Sequence, residues 1–257
     1  MNEGILIKGI GGELMIIKVN ADDFGWSESC TEAILMAFDQ GLIDSTTVCV
    51  NGEKFYPAID AVKKTLWKER VGIHFVLTEG RPLTEEIRKD RFFCDQNGNF
   101  HGNIQRYSGL NAKRRELIYN ELDAQARRFV ETGITFHHAD SHHHIHTAPF
   151  ITPIVIQIMK KYGIRKLRIH RNVGKISQTK RLYKNIYNQI MKVQGINYSD
   201  FFGGYEDLQN ISFKSADQRV LEVMCHPDID ENGHLIDRNN ESPYIYPFGI
   251  DLKELFD

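Results

Sequence analysis

The sequence predicts an α/β fold built on a parallel β-sheet. Short apolar runs rich in β-branched residues alternate with longer runs whose apolar residues recur at helical spacing, and most apolar runs end in polar residues. This order of strand, polar tip and helix is typical of parallel sheets, either open or closed into a barrel. At 257 residues the chain is long enough for one large domain or two small ones, and α/β barrels routinely reach this length as one domain.

Three strands and two helices are predicted in the first part of the chain. Residues 1–14 are Gly-rich and lack clear periodicity. We therefore expect either that Met15 is the natural start or that this leader is weakly ordered, with one domain at 15–257. The predicted elements are a strand at 15–20, a helix at 28–40 that ends at Gly41, a strand at 42–51, a helix at 56–68 and a strand at 71–77.

An irregular excursion at 79–111, with a turn at Asn97-Gly98, separates these elements from the rest of the chain. The best-patterned helix follows it at 112–132. Its apolar residues share one face, namely Leu117, Leu122, Ala126 and either Phe129 or Val130. The other predicted elements are a strand at 134–139, a helix at 149–162, a strand at 166–171, a helix at 177–193, strands at 211–214 and 219–225, and a short helix near Leu252.

Composition argues against several classes of protein. The net charge is −2 and the pI is about 6.6, so no basic field attracts nucleic acid or an anionic membrane. A denser basic patch from Lys161 to Arg171, which continues less tightly to Lys192, fits a solvated helical face. We find neither a membrane span nor a signal peptide and expect a cytoplasmic protein.

The four cysteines are widely spaced and form no CxxC pair. Paired cysteines are the usual sequence sign of a disulfide framework or of a zinc site built from thiolates. The sequence therefore argues against both.

Six of the eleven histidines lie within ten residues, at 137–146. A purification tag or a surface His-rich tract would explain such a cluster, but this one lies mid-chain and is interrupted by Ala139, Asp140, Ser141 and Ile145. Neutral imidazole is the commonest metal ligand in proteins. The cluster therefore indicates a metal site.

Further polar residues are predicted at the carboxyl ends of the parallel strands, which meet at one face of such a sheet. The pair Asp22-Asp23 follows the first strand, where a helix cap is the alternative interpretation. This set of oxygen and nitrogen donors suits Zn, Co, Ni, Mn or Mg. One carboxylate of the pair would bind the metal, its neighbour would act as general base, and His226 would donate a proton. The residues expected on this face are Asp22, Asp23, His74, Asp140, His142, His144 and His226.

Four segments together resemble the signature motifs of the YdjC-like carbohydrate deacetylases, and of their chitooligosaccharide deacetylase members most of all. The segments are Asn20 to Gly25, Gly72 to Thr78, Asp140 to His146 and Glu222 to Pro227. They occur in order and span nearly the whole chain. The resemblance implies a distorted (β/α) barrel, TIM-barrel-like and related to the polysaccharide deacetylases. It also implies one divalent metal ion, Mg²⁺ in this family, with Zn²⁺ or another transition metal as the alternative, and a homodimer.

The resemblance also assigns roles to residues. Asp23, His74 and His142 match the metal ligands, and Asp22 matches the general base. His226 is similar to the proton donor of related deacetylases. The remaining matched residues would orient a ligand or hold substrate or the base, and they are Asp140, His144, Arg168 and Arg171. The chain departs from its relatives at His170, where they carry an acid.

These observations predict a metal-dependent hydrolase that removes the N-acetyl group from a small acetylated oligosaccharide. Another metal-dependent hydrolase, such as a phosphoesterase or an amidohydrolase-like enzyme, is the alternative within enzymes. A non-catalytic sugar-binding or metal-storage module is the alternative outside them, although it has no use for Asp22-Asp23. Four aromatic residues could stack on a sugar ring, but core packing is the commoner role for Phe24, Trp26, Phe75 and Tyr246.

Overall fold

A computed structural model describes residues 5–8, 14–102, 109–135, 137–174, 176–197, 199–205, 207 and 219–239. The predicted strand at 211–214, Tyr246 and the helix near Leu252 lie outside the described residues. The strands are β1 (Ile5–Lys8), β2 (Leu14–Phe24), β3 (Ser45–Cys49), β4 (Val71–Phe75), β5 (His138–Ser141), β6 (Lys166–Leu167), β7 (Phe201–Gly204), β8 (Arg219–Cys225), β9 (Pro227–Ile229) and β10 (Leu235–Asp237). The α-helices are α1 (Glu28–Asp39), α2 (Phe55–Val62), α3 (Glu85–Lys89), α4 (Ala112–Val130), α5 (Thr152–Tyr162) and α6 (Gln178–Val193). Short 3₁₀ helices lie at Lys68–Arg70 and His142–Thr147.

Parallel pairing of the strands confirms the predicted class of sheet. Strand β8 pairs in parallel with β2 and with β7, and β4 pairs in parallel with β5. Strand β1 falls within the predicted leader and pairs antiparallel with β2. Every residue of β4 is buried, as expected where helices cover both faces of a parallel sheet.

The chain divides into two compact units that alternate along the sequence. The first comprises 1–22, 29–46 and 167–257, and the second comprises 23–28 and 47–166. The first unit holds β7, β8 and α6, whereas the second holds β4, β5 and the helices α2 to α5. The predicted site residues fall in both units. No described helix has the length and hydropathy of a membrane span.

Helix α4 forms as its pattern predicts. Asn111 caps it by accepting a hydrogen bond from the Arg114 backbone nitrogen at 2.9 Å. Of the two alternatives at its last apolar position, Phe129 is fully buried and Val130 is 44% exposed. The apolar face of α4 therefore includes Phe129. A turn follows the helix and reaches Gly133, whose φ is 77°.

Several predicted helix boundaries were wrong because local backbone features start or end the helix at another residue. Residue Leu42 closes α1 rather than starting β3, since its backbone nitrogen donates to Ala37 O while Gly41 has a φ of 72°. Helix α2 ends at Val62, and turns occupy most of the predicted remainder. Helix α5 starts at Thr152 because Pro153 occupies its first turn.

The two strands nearest the His-rich stretch also differ from prediction. Strand β5 covers His138–Ser141, so Asp140 lies within the strand and not beyond its tip. Strand β6 contains only Lys166–Leu167 of the predicted six residues. An apolar β-type pattern does not specify how many residues pair with a neighbouring strand. Here the pairing of β6 ends before Arg168.

A buried carboxylate on α4 anchors the excursion that follows β4. Glu121 is fully buried and accepts hydrogen bonds from the Leu83 and Thr84 backbone nitrogens, the Thr84 hydroxyl and Gln125 Nε2, at 2.8–2.9 Å. Gln125 in turn bonds both the nitrogen and the oxygen of Val76. The pair Glu121 and Gln125 therefore ties the excursion to the helix.

Glu121→Ala should lower the free energy of unfolding by about 3 kcal/mol, because it leaves several partly buried donors without an acceptor. Urea denaturation followed by circular dichroism measures this change. The control is Glu116→Ala, an exposed glutamate on the same helix, which should change stability by less than about 0.5 kcal/mol. Equal effects of the two variants would contradict the anchoring role.

Candidate active site

Backbone strain marks one region of the second unit. In the described part of the chain, the non-glycine residues with positive φ are Asp23, His143 and His144, at 68°, 53° and 52°. Left-handed backbone is costly for side chains other than glycine and persists where the surrounding structure enforces it, often at functional sites. All three residues belong to segments that the sequence singled out.

The Asp23 carboxylate joins two imidazoles. It is 1% exposed, and its Oδ1 lies 2.9 Å from His142 Nδ1 and 3.2 Å from His74 Nε2. Burial raises the pKa of Asp23, but the hydrogen bond from His142 and the charge attraction of His74 and His142 outweigh burial and hold that pKa well below its usual range. The three predicted metal ligands are thus in contact through one oxygen atom.

Strand register explains how His74 is oriented. In the parallel β4–β5 pair, His74 lies opposite Asp140. Asp140 Oδ1 is 2.6 Å from His74 Nδ1, and Asp140 Oδ2 accepts a hydrogen bond from the Thr47 hydroxyl at 3.0 Å. A carboxylate on one ring nitrogen fixes the imidazole so that the other nitrogen can ligate a metal. The structure therefore places Asp140 where its predicted orienting role requires.

The donor set fits a divalent cation. His74 Nε2 is buried and makes no hydrogen bond, although it faces Asp23 Oδ1. A buried polar atom without a hydrogen bond needs an explanation, and coordination of an ion is a common one. Carboxylate oxygen and imidazole nitrogen are donors that Zn, Co, Ni and Mn accept.

Two residues that the sequence did not predict join this region. Cys49 Sγ lies 3.8 Å from Asp23 Oδ1, and the ligand atoms of Asp23, Cys49 and His74 all lie within 4.8 Å of one another. Glu79 Oε2 lies 2.9 Å from His142 Nε2, and with His143 these residues form a second group of metal-type donors. Glu79 directly follows the Gly72 to Thr78 motif, which is the one signal that the sequence offers for it.

The 3₁₀ helix at His142–Thr147 directs the other histidines away from Asp23. His143 Nδ1 is 2.9 Å from the Thr78 hydroxyl. His146 is fully buried, and its Nδ1 lies 2.5 Å from the Ser141 hydroxyl. His144 packs edge-on against His146, with ring centroids 6.4 Å apart. The Trp26 indole stacks on the His142 ring at 5.4 Å and so limits its movement.

In the first unit, Asp22 is held by an arginine. Its buried carboxylate receives two hydrogen bonds from the Arg168 guanidinium, at 2.5 and 2.7 Å, and one from Asn20 Nδ2 at 2.9 Å. Arg168 Nε also donates to Glu222 at 2.6 Å. Arg168 is expected to hold either substrate or the base, and the structure brings it into contact with Asp22, the predicted base. Bidentate pairing fixes both the position and the plane of a carboxylate.

His226 follows the last register pair of β2 and β8, Ala21↔Cys225, so it arises at the same end of that pair as Asp22. Asn239 Nδ2 lies 2.7 Å from His226 Nδ1. An amide NH₂ can only donate, so His226 Nδ1 is the acceptor in this contact.

Arg171 and His170 lie elsewhere. Arg171 donates a hydrogen bond to Asp207 Oδ1 at 2.6 Å. His170 packs edge-on against Tyr183 and Tyr187, and burial, aided by Lys184, lowers its pKa to about 4. The structure therefore shows Arg168 on the predicted base and Arg171 on Asp207.

The pH dependence of stability should report on His74. Burial lowers the pKa of His74, but attraction to Asp140 and Asp23 outweighs it and raises the pKa from 6.5 to about 10. A raised pKa contributes stability that is complete below the unfolded value and is lost as pH rises through the folded value. In the presence of a chelator, the free energy of unfolding should therefore contain a contribution that falls between pH 6.5 and about 10.

Chemical denaturation at a series of pH values measures this slope. His74→Asn removes the titrating group and should flatten the fall, because no imidazole remains to lose a proton. A slope that is the same in both proteins would contradict the assignment.

Comparison with known proteins finds a matching family model and several relatives. The family model described as YdjC-like protein matches residues 16–249. A carbohydrate deacetylase of Geobacillus stearothermophilus is 35% identical over 221 residues, which cover 81% of this chain and 78% of that protein. A chitooligosaccharide deacetylase of Salmonella paratyphi B is 34% identical over 248 residues, which cover 93% and 90% of the two chains.

A solved structure shows the fold. A protein of Enterococcus faecalis V583, proposed to be a cellobiose-phosphate cleavage protein, superimposes with a TM-score of 0.66 at 23% identity and covers 84% of this chain and 82% of its own. The strand and helix order and this similarity give the chain the predicted α/β barrel-like fold. The matched family model and the relatives together identify the chain as a member of the YdjC-like protein family.

Proposed function

We propose that this protein is a metal-dependent carbohydrate deacetylase that hydrolyses the N-acetyl group of a small acetylated amino sugar such as a chitooligosaccharide. The contact of Asp23 Oδ1 with both His74 and His142 carries the proposal, because it joins a carboxylate and two imidazoles from three separate segments. The relatives named carbohydrate deacetylase and chitooligosaccharide deacetylase support the class of substrate.

Asp23, His74 and His142 would hold the cation. Each offers an oxygen or nitrogen lone pair, and Asp140 and Glu79 orient the two imidazoles from their other sides. When bound, a divalent cation polarises a carbonyl oxygen and lowers the pKa of water. Three protein ligands leave room for substrate and water, as a catalytic site requires.

Asp22 would accept the proton of the attacking water. It is the chain neighbour of Asp23, so the base adjoins the proposed metal ligand, and the two hydrogen bonds from Arg168 keep its carboxylate in one orientation. Fixed orientation contributes to rate because the base is in position before the reaction begins. Arg168 is thus a positioning residue that acts through Asp22.

His226 would protonate the departing amine. Asn239 Nδ2 contacts the Nδ1 of His226, so the other ring nitrogen, Nε2, would be the one to deliver the proton. The amide C–N bond breaks after water adds to the carbonyl carbon. Acetate and the free amino sugar are then the products, and the proton taken by Asp22 balances the one given by His226.

The ion class expected from the family is Mg²⁺, and the nitrogen donors of His74 and His142 suit a transition metal equally well. A homodimer and a cytoplasmic location remain predictions.

The test is acetate release from N,N′-diacetylchitobiose. We expect the metal-loaded protein to release acetate and one free amine per bond cleaved, and a chelator to abolish the activity until a divalent metal is restored. The relevant measurements are enzymatic acetate detection and the number of metal ions per chain.

The metal count separates this proposal from its alternatives. One ion per chain with acetate release supports the deacetylase. Two ions per chain with phosphate release from a phosphorylated sugar would favour a phosphoesterase. Metal binding without turnover on any acetylated sugar would favour a binding module.

A further inference from the structure

We infer that Cys49 is a further ligand at the metal centre and that the site therefore favours a thiophilic divalent cation, such as Zn²⁺ or Co²⁺, over Mg²⁺. The inference rests on the proposed function, because it concerns the ion that the same centre takes. It adds a thiolate to a set of ligands that the sequence predicts to contain only oxygen and nitrogen.

Cys49 lies at the end of β3 and is fully buried. Its thiol forms no disulfide. The thiol donates to Asp23 Oδ1 at 3.8 Å, and the ligand atoms of Asp23, Cys49 and His74 all lie within 4.8 Å of one another. The sulfur thus faces the carboxylate oxygen that also contacts His74 and His142.

An independent observation points to a ligand at the same place. His74 is 1% exposed, and its Nε2 is buried without a hydrogen bond while its Nδ1 is held by Asp140. The unbonded nitrogen lies 3.2 Å from Asp23 Oδ1. A donor atom that is buried, oriented and without a hydrogen bond is what a metal ligand looks like in the absence of its ion.

The spacing of these atoms suits a transition metal. Bond lengths of about 2.0–2.3 Å to oxygen, nitrogen and sulfur place two ligands of a tetrahedral ion about 3.3–3.6 Å apart. The nitrogen-to-oxygen separation is 3.2 Å and the sulfur-to-oxygen separation is 3.8 Å. Both separations lie within a few tenths of an ångström of the tetrahedral values. The third separation, from the sulfur to a His74 ring nitrogen, is within 4.8 Å.

A sulfur ligand from Cys49 would determine which class of divalent ion the site prefers. Mg²⁺ selects oxygen ligands and keeps several waters, whereas a thiolate selects softer ions such as Zn²⁺ and Co²⁺. With His142, the protein donors number four, and zinc can accept a fifth ligand during catalysis. The absence of CxxC pairs predicts that no site is built from several thiolates, but it gives no information on one thiolate from a distant strand.

The experiment loads the purified full-length protein with Co²⁺ and records its absorption spectrum. A cobalt–thiolate bond gives a sulfur-to-cobalt charge-transfer band in the near ultraviolet. We expect the band in the native protein and in Cys94→Ser, which removes another fully buried cysteine of the same unit. Cys49→Ser should lose the band, bind Zn²⁺ at least about tenfold more weakly, and keep its Mg²⁺ affinity within about twofold.

A second measurement needs no variant and decides the matter if Cys49→Ser does not fold. X-ray absorption of the zinc-loaded native protein should show one sulfur scatterer at about 2.3 Å. A shell of nitrogen and oxygen alone, or a cobalt band that survives in Cys49→Ser, would overturn the inference and leave the deacetylase proposal intact. Failure to bind any divalent metal would overturn both, and acetate release in the presence of chelator would identify that case.

Discussion

Asp22→Asn is expected to keep its bound metal and to lose about a thousandfold in turnover. The amide has the shape of the carboxylate but cannot accept the proton of water, and Asp23, His74 and His142 are unchanged. The measurement is the kcat of acetate release from N,N′-diacetylchitobiose at a fixed metal content. Near-normal turnover of this variant would show that Asp22 is not the base.

This variant also breaks a buried ion pair, so its stability needs a matched control. Arg168 pairs with both Asp22 and Glu222. The side chains of Arg168 and Asp22 are 1% and 2% exposed, and that of Glu222 is 21% exposed. Loss of one partner from a buried pair costs about 3–5 kcal/mol, which thermal unfolding would detect. Glu222→Gln removes the other partner of Arg168 without removing the proposed base, so it should lower turnover far less than Asp22→Asn does.

Asp23→Asn is expected to lose both metal and activity. Asp23 Oδ1 is the atom that contacts His74 and His142, and an amide oxygen without charge is a far weaker ligand. Asparagine tolerates the left-handed backbone at φ 68°, so the substitution removes the charge and leaves the turn in place. We expect metal affinity to fall at least about 100-fold.

Isothermal titration with the metal and the acetate assay measure the two losses together. His142→Ala should give the same double loss, because it removes a second proposed ligand. Asp39→Asn, which changes an exposed carboxylate at the end of α1, should bind metal as the native protein does. Retained metal affinity in Asp23→Asn would contradict the assignment of this carboxylate.

The sequence predicts the fold and the proposed ligands because each has a local signature. A β-branched run at 15–20 followed by Asp22-Asp23, and a lone polar His74 in an apolar strand, are visible in a few residues. The role of Asp140 at His74 follows from the β4–β5 register, which the sequence did not predict, since the strand at 134–139 was placed short of Asp140.

Contacts between distant segments were missed because no spacing reveals them. Cys49 reaches Asp23 from 26 residues away and Glu79 reaches His142 from 63 residues away, and each looks ordinary in its own segment. The sequence alone allows Arg168 to hold either substrate or the base. Only its two hydrogen bonds to Asp22 favour the second role. The left-handed backbone at His143 and His144 likewise has no signal in residue type.

The most direct test of the account is anomalous diffraction from crystals of the zinc-loaded protein, recorded on both sides of the metal absorption edge. The account predicts one peak per chain, within about 2.0–2.3 Å of Asp23 Oδ1, His74 Nε2 and a ring nitrogen of His142. A fully loaded protein with no peak beside Asp23, or with its ion held by Glu79 and His143 instead, would contradict it.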